Sequence, residues 1–287
     1  MAGVISSGPA AYFGPIAFNC IRQIMMFVLL GTYAALAGTF ATIPGNDLLP
    51  VMLSGLIGIA LGDTALFAAL TRLGPRRTMI LFSMNAPIST LLGFILLGEV
   101  LTPLELAGTL VTIAGVVLAI AFGNSPGKSH KWEAVSGPLW VGVVLGLIAA
   151  TGQSLGSLII RPIMAEGADA VAVSAIRIGI SALTLIALGF LPVRSFRMRN
   201  PLSVRPLLMT ALSGFVAMGV GMTLVAYALS GGEVGIVSTL AATSPVLMLP
   251  LLWIATGNRP AAAAWVGAVM VFVGAAMIFS NGELALH

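Results

Sequence analysis

The stretch Thr78 to Gly98, TMILFSMNAPISTLLGFILLG, runs without a charge and is long enough to cross a hydrocarbon core of about 30 Å as one helix. A second run, Val234 to Gly257, VGIVSTLAATSPVLMLPLLWIATG, repeats the arrangement. Such runs leave a chain few options, because in lipid every backbone polar group must be satisfied internally and the backbone therefore crosses as helices. Both runs carry a proline preceded by small polar residues: Pro87 follows Ser83, Asn85 and Ala86, and Pro245 follows Thr243 and Ser244. In a helix each proline leaves the carbonyl four residues earlier without its usual donor, which predicts a kink or a polar site at membrane depth. The same device in matching places of two halves points to an internally duplicated transporter with its site between the halves.

Composition supports an integral membrane protein, since 59% hydrophobic against 8% charged residues is far from the roughly 25% charged of soluble domains. At 287 residues with almost no long polar segment there is no room for a separate soluble domain. The net charge of +4 is no nucleic-acid footprint, because the Lys and Arg residues sit in short loops between apolar runs. Cys20 is the single cysteine, and the histidines are His130 and the terminal His287, so no disulfide, metal site or histidine catalysis is expected. No cofactor is implied, and the absence of GxxxxGK[ST] argues against energy from bound ATP. The N-terminus lacks a positive region and is interrupted by Gly8, Pro9, Gly14 and Pro15, so it does not read as a signal peptide.

Apolar runs predict nine spans: 17–41, 50–71, 78–98, 103–123, 138–160, 170–192, 206–230, 234–256 and 261–280. Internal repetition organises them. The segment from Leu70 aligns with that from Leu229, with Pro87 on Pro245 at an offset of 158 and Gly115 on Gly274 at 159. Further back, CIR at 20–22 matches AIR at 175–177, and Met1 falls near Gly156, already inside the span 138–160. The expected repeats are residues 1–123 and 134–280, the first lacking most of its first helix.

The proline-containing span, the turn with Gly98, Glu99 and Pro103, and the glycine-spaced helix ending GVVLAI resemble the EamA module of the drug/metabolite transporter superfamily. The resemblance covers nearly the whole chain as two modules. It implies an all-α integral membrane protein of two inverted five-helix repeats, with a central cavity lined by the first, third and fourth helices of each half. Nine spans in place of ten leave the first helix of that pattern missing.

Of the Lys and Arg residues in loops, one side holds Arg72, Arg76, Arg77, Lys128, Lys131, Arg194, Arg197, Arg199, Arg205 and Arg259, and the other only Arg161. Positive-inside bias makes the first side cytoplasmic in a multi-pass protein of the inner cell membrane. Residues 1–15 then lie inside and the C-terminus outside, whereas the family resemblance implies a cytoplasmic C-terminus.

Glycines 55, 58, 62, 108 and 115 read first as close helix packing, and Met84, Met218 and Met222 as core fillers. Gln153 and Ser157 lie one turn apart on a segment that the resemblance turns toward the cavity, where they serve either as substrate contacts or as an interhelical hydrogen bond. Asn85 and Thr243 stand two residues before the two prolines, with Ser83, Ser238 and Tyr227 nearby. A cavity lined by these residues suits amino acids, amines or aromatic metabolites better than multiply charged phosphates. Arg22 and Arg177 occupy equivalent places about two turns into their spans, read as snorkelling anchors, with a gate or a carboxylate partner as the alternative.

Asp63 lies deep in the span 50–71 and is expected to face the bundle interior between Ile59 and Phe67. An ionised aspartate at that depth is costly, which raises proton coupling or cation binding against an arginine-paired, purely structural carboxylate. The second half places Gly221 opposite it. The expectation is therefore a secondary transporter, an exporter of a small organic metabolite, amino acid or drug-like solute, with Pro87 and Pro245 as hinges. The alternative is a non-transporting membrane protein: a sensor, a lipid-binding subunit or an inactive truncated carrier. Oligomeric state stays open.

Overall fold

Proline and glycine set most of the helix ends in this chain. The computed structural model describes residues 2–98, 100–122, 137–190, 198–222, 244–257 and 260–279. Helix α1 covers Ala2–Phe13 and α2 covers Pro15–Ala37, opened by Pro15 and closed by left-handed Gly38, whose N–H reaches the Ala34 and Ala35 carbonyls. Two 3-10 turns, Thr39–Thr42 and Gly45–Asp47, lead into α3 (Leu48–Ser54), a π-helical segment (Gly55–Leu61) and α4 (Gly62–Leu73) in one rod. Then come α5 (Pro75–Phe82), α6 (Asn85–Leu97) and α7 (Pro103–Phe122). A reciprocal cap starts α7: the Glu105 carboxylate accepts from the Thr102 N–H at 2.8 Å, while Thr102 Oγ1 accepts from the Glu105 N–H at 3.3 Å.

The second half supplies α8 (Leu139–Ala165), α9 (Ala170–Gly189), α10 (Val204–Gly214) with a second π-helical segment (Phe215–Met222), α11 (Ser244–Thr256) and α12 (Ala262–Phe279). Asp169 caps α9, its Oδ1 accepting from the Ala172 N–H at 2.8 Å. Among the described residues there is no strand.

Seven helical stretches are long and apolar enough to cross a membrane: Pro15–Ala37, Gly45–Leu73, Pro75–Leu96, Pro103–Phe122, Leu139–Ala165, Ala170–Gly189 and Val204–Gly221. Ala262–Ile278 is a shorter apolar helix. Residues 223–230 and 234–243 of two expected spans lie outside the described residues. At the N-terminus Ala2–Phe13 is helical despite Pro9 within it. Packing overrides the local signal: Ala10 and Phe13 are buried with Phe18, Phe67 and Leu70. At 1.5 Å per residue α1 is about 18 Å long, too short to span, and the repeat maps it onto the last part of α8.

The ends of the bundle are tied by polar contacts. At one end the Arg199 N–H donates to the Phe13 carbonyl at 3.0 Å and Asn200 Nδ2 to the Tyr12 carbonyl at 2.7 Å. Arg76 Nη1 donates to the Ala119 carbonyl at 3.2 Å, which places the last described turn of α7 beside the start of α5. At the other end the Asp169 N–H donates to Thr42 Oγ1 at 2.9 Å.

The repeats meet along α7 and α12, as well as where α2 packs on α9 and α4 on α8. A methyl added at Gly108 would fall 2.6 Å from the Gly274 carbonyl oxygen, and one at Gly115 would fall 2.7 Å from that of Gly267. The offset of 159 maps Gly108 onto Gly267 and Gly115 onto Gly274, so each contact is the counterpart of the other. That reciprocity, with the helices antiparallel, is the signature of a pseudo-two-fold axis between inverted repeats.

Candidate functional site

Along the facing sides of α2 and α4 the apolar pattern gives way to a ladder of polar side chains. Asn19 Nδ2 donates to Thr64 Oγ1 at 2.9 Å, Gln23 Nε2 donates to Asn19 Oδ1 at 3.0 Å, and the same amide reaches Asp63 Oδ2 at 3.4 Å. Arg22 Nη2 forms an ion pair with Asp63 Oδ2. Its guanidinium carbon lies 4.5 Å from the ring centre of Phe67, and Phe67 is edge-packed on Phe18 at 4.7 Å. An arginine over an aromatic face in a water-poor setting gains cation–π attraction in addition to its carboxylate.

Arg22 is 4% exposed, which overturns the snorkelling expectation in favour of the carboxylate-partner alternative. The cause is the packing of α10 over the start of α2, where a methyl on Gly214 would lie 3.1 Å from Arg22 Cγ. The other repeat mirrors this contact, since a methyl on Gly55 would lie 2.7 Å from Arg177 Cα, and the repeat maps Gly55 onto Gly214 and Arg22 onto Arg177. Arg177 is likewise buried, with its Nη2 between Gly58 and Gly156. Asp63 attracts it electrostatically. Asp63 thus faces the bundle interior, with Ile59 and Phe67 buried beside it.

Helix α8 lies against this assembly. A methyl on Gly152 would meet the Ile57 carbonyl oxygen at 2.9 Å, and one on Gly156 would meet Gly58 Cα at 2.9 Å, so the glycines of both helices permit backbone contact along the π-helical segment. Ser54 Oγ reinforces it, donating to the Gly156 carbonyl at 2.7 Å. On its other flank α8 meets the break before Pro87, where Ser154 Oγ donates to the Asn85 carbonyl at 2.9 Å.

At that break the freed carbonyl expected at Ser83 is not left open: it accepts from the Ala86 N–H at 3.3 Å. Ser83 and Met84 form a turn, and Pro87 falls in the first turn of α6, where its missing N–H costs no helical bond. Pro245 lies on α11, whose preceding residues are outside the described ones.

Of the sequence-derived site residues, Asp63 on α4, Gln153 on α8 and Ser83 with Asn85 at the Pro87 break belong to elements packed around α8. The Ser83 hydroxyl bonds to the Met79 carbonyl of its own helix at 3.1 Å. Gln153 is half-buried and Ser157 is exposed, while the hydroxyl that links α8 to α6 is that of Ser154. Tyr227, Ser238 and Thr243 lie outside the described residues. Sequence reasoning held the Arg22 pairing only as an alternative and missed Ser154. The pairing had a signal: Arg22, Asp63 and Arg177 are charges set more than one turn inside the expected spans, and buried charges of opposite sign seek each other.

Comparison with known proteins gives one family, described as the EamA-like transporter family, matching residues 1–121 and 140–280. No curated protein matches the chain. A solved crystal structure shares its fold at a TM-score of 0.59 and 18% identity, with 100% of this chain and 96% of the other covered.

Proposed function

The chain belongs to the EamA-like transporter family, and from that premise we propose that it is a secondary transporter moving a small organic metabolite, amino acid or drug-like solute across the cell membrane in the export direction. The observation that carries the mechanism is the reciprocal contact of Gly108 with Gly274 and Gly115 with Gly267. Two repeats joined along a pseudo-two-fold seam can rock against one another and open a shared site first to one side and then to the other. In this reading residues 1–123 and 134–280 are the moving bodies, and Pro87 and Pro245 are the hinges. Asp63, Ser83, Asn85, Gln153, Ser157, Tyr227, Ser238 and Thr243 contribute to the substrate path.

Asp63 supplies the coupling. Its carboxylate holds Arg22 and Gln23, so a proton or cation arriving there competes with Arg22 and loosens the join between α2 and α4. Purified protein in proteoliposomes, given a panel of amino acids, amines and aromatic metabolites under imposed pH and sodium gradients, tests the proposal. Gradient-driven movement of at least one solute is expected, lost in Asp63→Asn and restored in part by Asp63→Glu. Absence of movement under every gradient overturns it in favour of a non-transporting membrane protein.

A further inference from the structure

Around Asp63 the packed helices bring together Arg22 and Arg177, both buried, so this cluster carries one positive charge in excess. Asp63 is already engaged, its Oδ2 accepting from both Arg22 and Gln23. Arg177 is 4% exposed, and its Nε has no hydrogen-bond partner. One helical turn on, Ser181 is fully buried and its Oγ also lacks a partner. Residues four apart share a face of α9. Ser83, Thr90, Ser154 and Thr184 all satisfy themselves by donating to the carbonyl four residues earlier, and Ser181 does not.

Two neighbouring buried donors without acceptors are costly unless something answers them. The first repeat answers its arginine with Asp63, whereas the register that sets Gly55 on Gly214 and Leu70 on Leu229 puts the uncharged Met222 at the corresponding position of the second. Gly58 and Gly156 leave the Arg177 Nη2 room to lie between two backbones, since a methyl at either would come within 3.2 and 3.3 Å of it. We propose that Arg177 and Ser181 bind the carboxylate of a monoanionic organic solute, which takes the part in the second repeat that Asp63 takes in the first. The proposal rests on the transporter reading and narrows its substrate class to monocarboxylates. A single negative charge cancels the excess, whereas a phosphate dianion would leave a buried negative charge unpaired. The planar fork of a guanidinium matches two carboxylate oxygens, a geometry that a spherical anion cannot use.

The test uses the full chain in lipid nanodiscs, with acetate, benzoate and phenylacetate as probes, benzamide as the uncharged isostere of benzoate and chloride as the inorganic competitor. At least one carboxylate should bind by calorimetry and raise the melting temperature, and benzamide should not. Arg177→Gln should weaken carboxylate binding at least about thirtyfold, as expected for loss of one member of a buried charge pair. Ser181→Ala should weaken it about fivefold, and Arg177→Lys should retain part of it. Should Arg177→Gln fail to fold, Ser181→Ala and Arg177→Lys carry the same comparison. No binding by any of the three carboxylates overturns the site. So does equal binding of benzoate and benzamide, unchanged affinity in the variants, or displacement of benzoate by an equal concentration of chloride. In proteoliposomes the two proposals separate: uncharged solutes moved equally by wild type and Arg177→Gln, without carboxylate binding, leave the carrier standing and remove the anion site. Arg177-dependent carboxylate binding without movement of any solute does the reverse.

Discussion

The Arg22–Asp63 pair sets the energetics of its neighbourhood because neither charge has water to fall back on. Removing one member of a buried pair leaves the other uncompensated, at a cost of about 3–5 kcal/mol, whereas replacing both by apolar groups of similar size is often neutral. Asp63→Asn is therefore expected to destabilise the protein by about that amount, and Arg22→Met combined with Asp63→Leu to recover most of it. Reversible unfolding in mixed micelles over the four-member cycle reads the coupling, and additive losses would show that the pair contributes nothing of its own. Ser154→Ala should be far milder, about 0.6 kcal/mol, the usual worth of an interhelical hydrogen bond in a membrane protein. The position of Arg22 near the start of an apolar run made snorkelling the natural expectation from sequence. What sequence could not supply was α10, whose Gly214 closes over the Arg22 side chain and turns an interfacial depth into an interior one.

At the scale of elements, glycine spacing was the most legible feature. Gly108 and Gly115 on α7, and Gly55, Gly58 and Gly62 on the rod through α4, read as packing positions and lie at close backbone approaches. Gly274→Ala would place its methyl 2.4 Å from Thr112 Oγ1 and 2.6 Å from the Gly108 carbonyl oxygen, and should cost about 1–3 kcal/mol by forcing α7 and α12 apart. Gly267→Ala, at the neighbouring contact of the same seam where its methyl would fall 2.6 Å from the Gly115 carbonyl oxygen, should cost a similar amount. Gly189→Ala, which meets nothing within 4 Å, should stay within about 0.5 kcal/mol in the same unfolding assay. Equal losses at all three positions would deny the seam its special role. The π-helical segments Gly55–Leu61 and Phe215–Met222 were not legible, because an extra residue per turn changes neither composition nor mean hydropathy. Helix α1 shows the opposite case: Gly8 and Pro9 are local signals against a helix, and burial of Phe13 against α2 and α4 outweighs them.

For the whole molecule the open question is which end faces the cytoplasm, and the fold now groups the loops that a charge count could only alternate. Phe13, Arg199 and the start of α5 share one end, with Arg72 3.4 Å from where a side chain on Gly137 would begin. Thr42 and Asp169 mark the other. Because α12 is antiparallel to α7, and α7 ends beside Arg76, the helix from Ala262 to Phe279 runs toward the Thr42 end. Excess Lys and Arg in short loops hold an end in the cytoplasm, so the Arg199 end should be inside and the Thr42 end outside. In a Cys20→Ser background, Glu166→Cys should react with a membrane-impermeant maleimide applied to intact spheroplasts. Met198→Cys should react only after the membrane is opened; both positions are exposed, so access is decided by sidedness and not by burial. A reporter active only in the cytoplasm should stay dark when fused after His287. Labelling of Met198→Cys from outside, together with a lit C-terminal reporter, would reverse the orientation and with it the direction in which the Arg22–Asp63 layer opens.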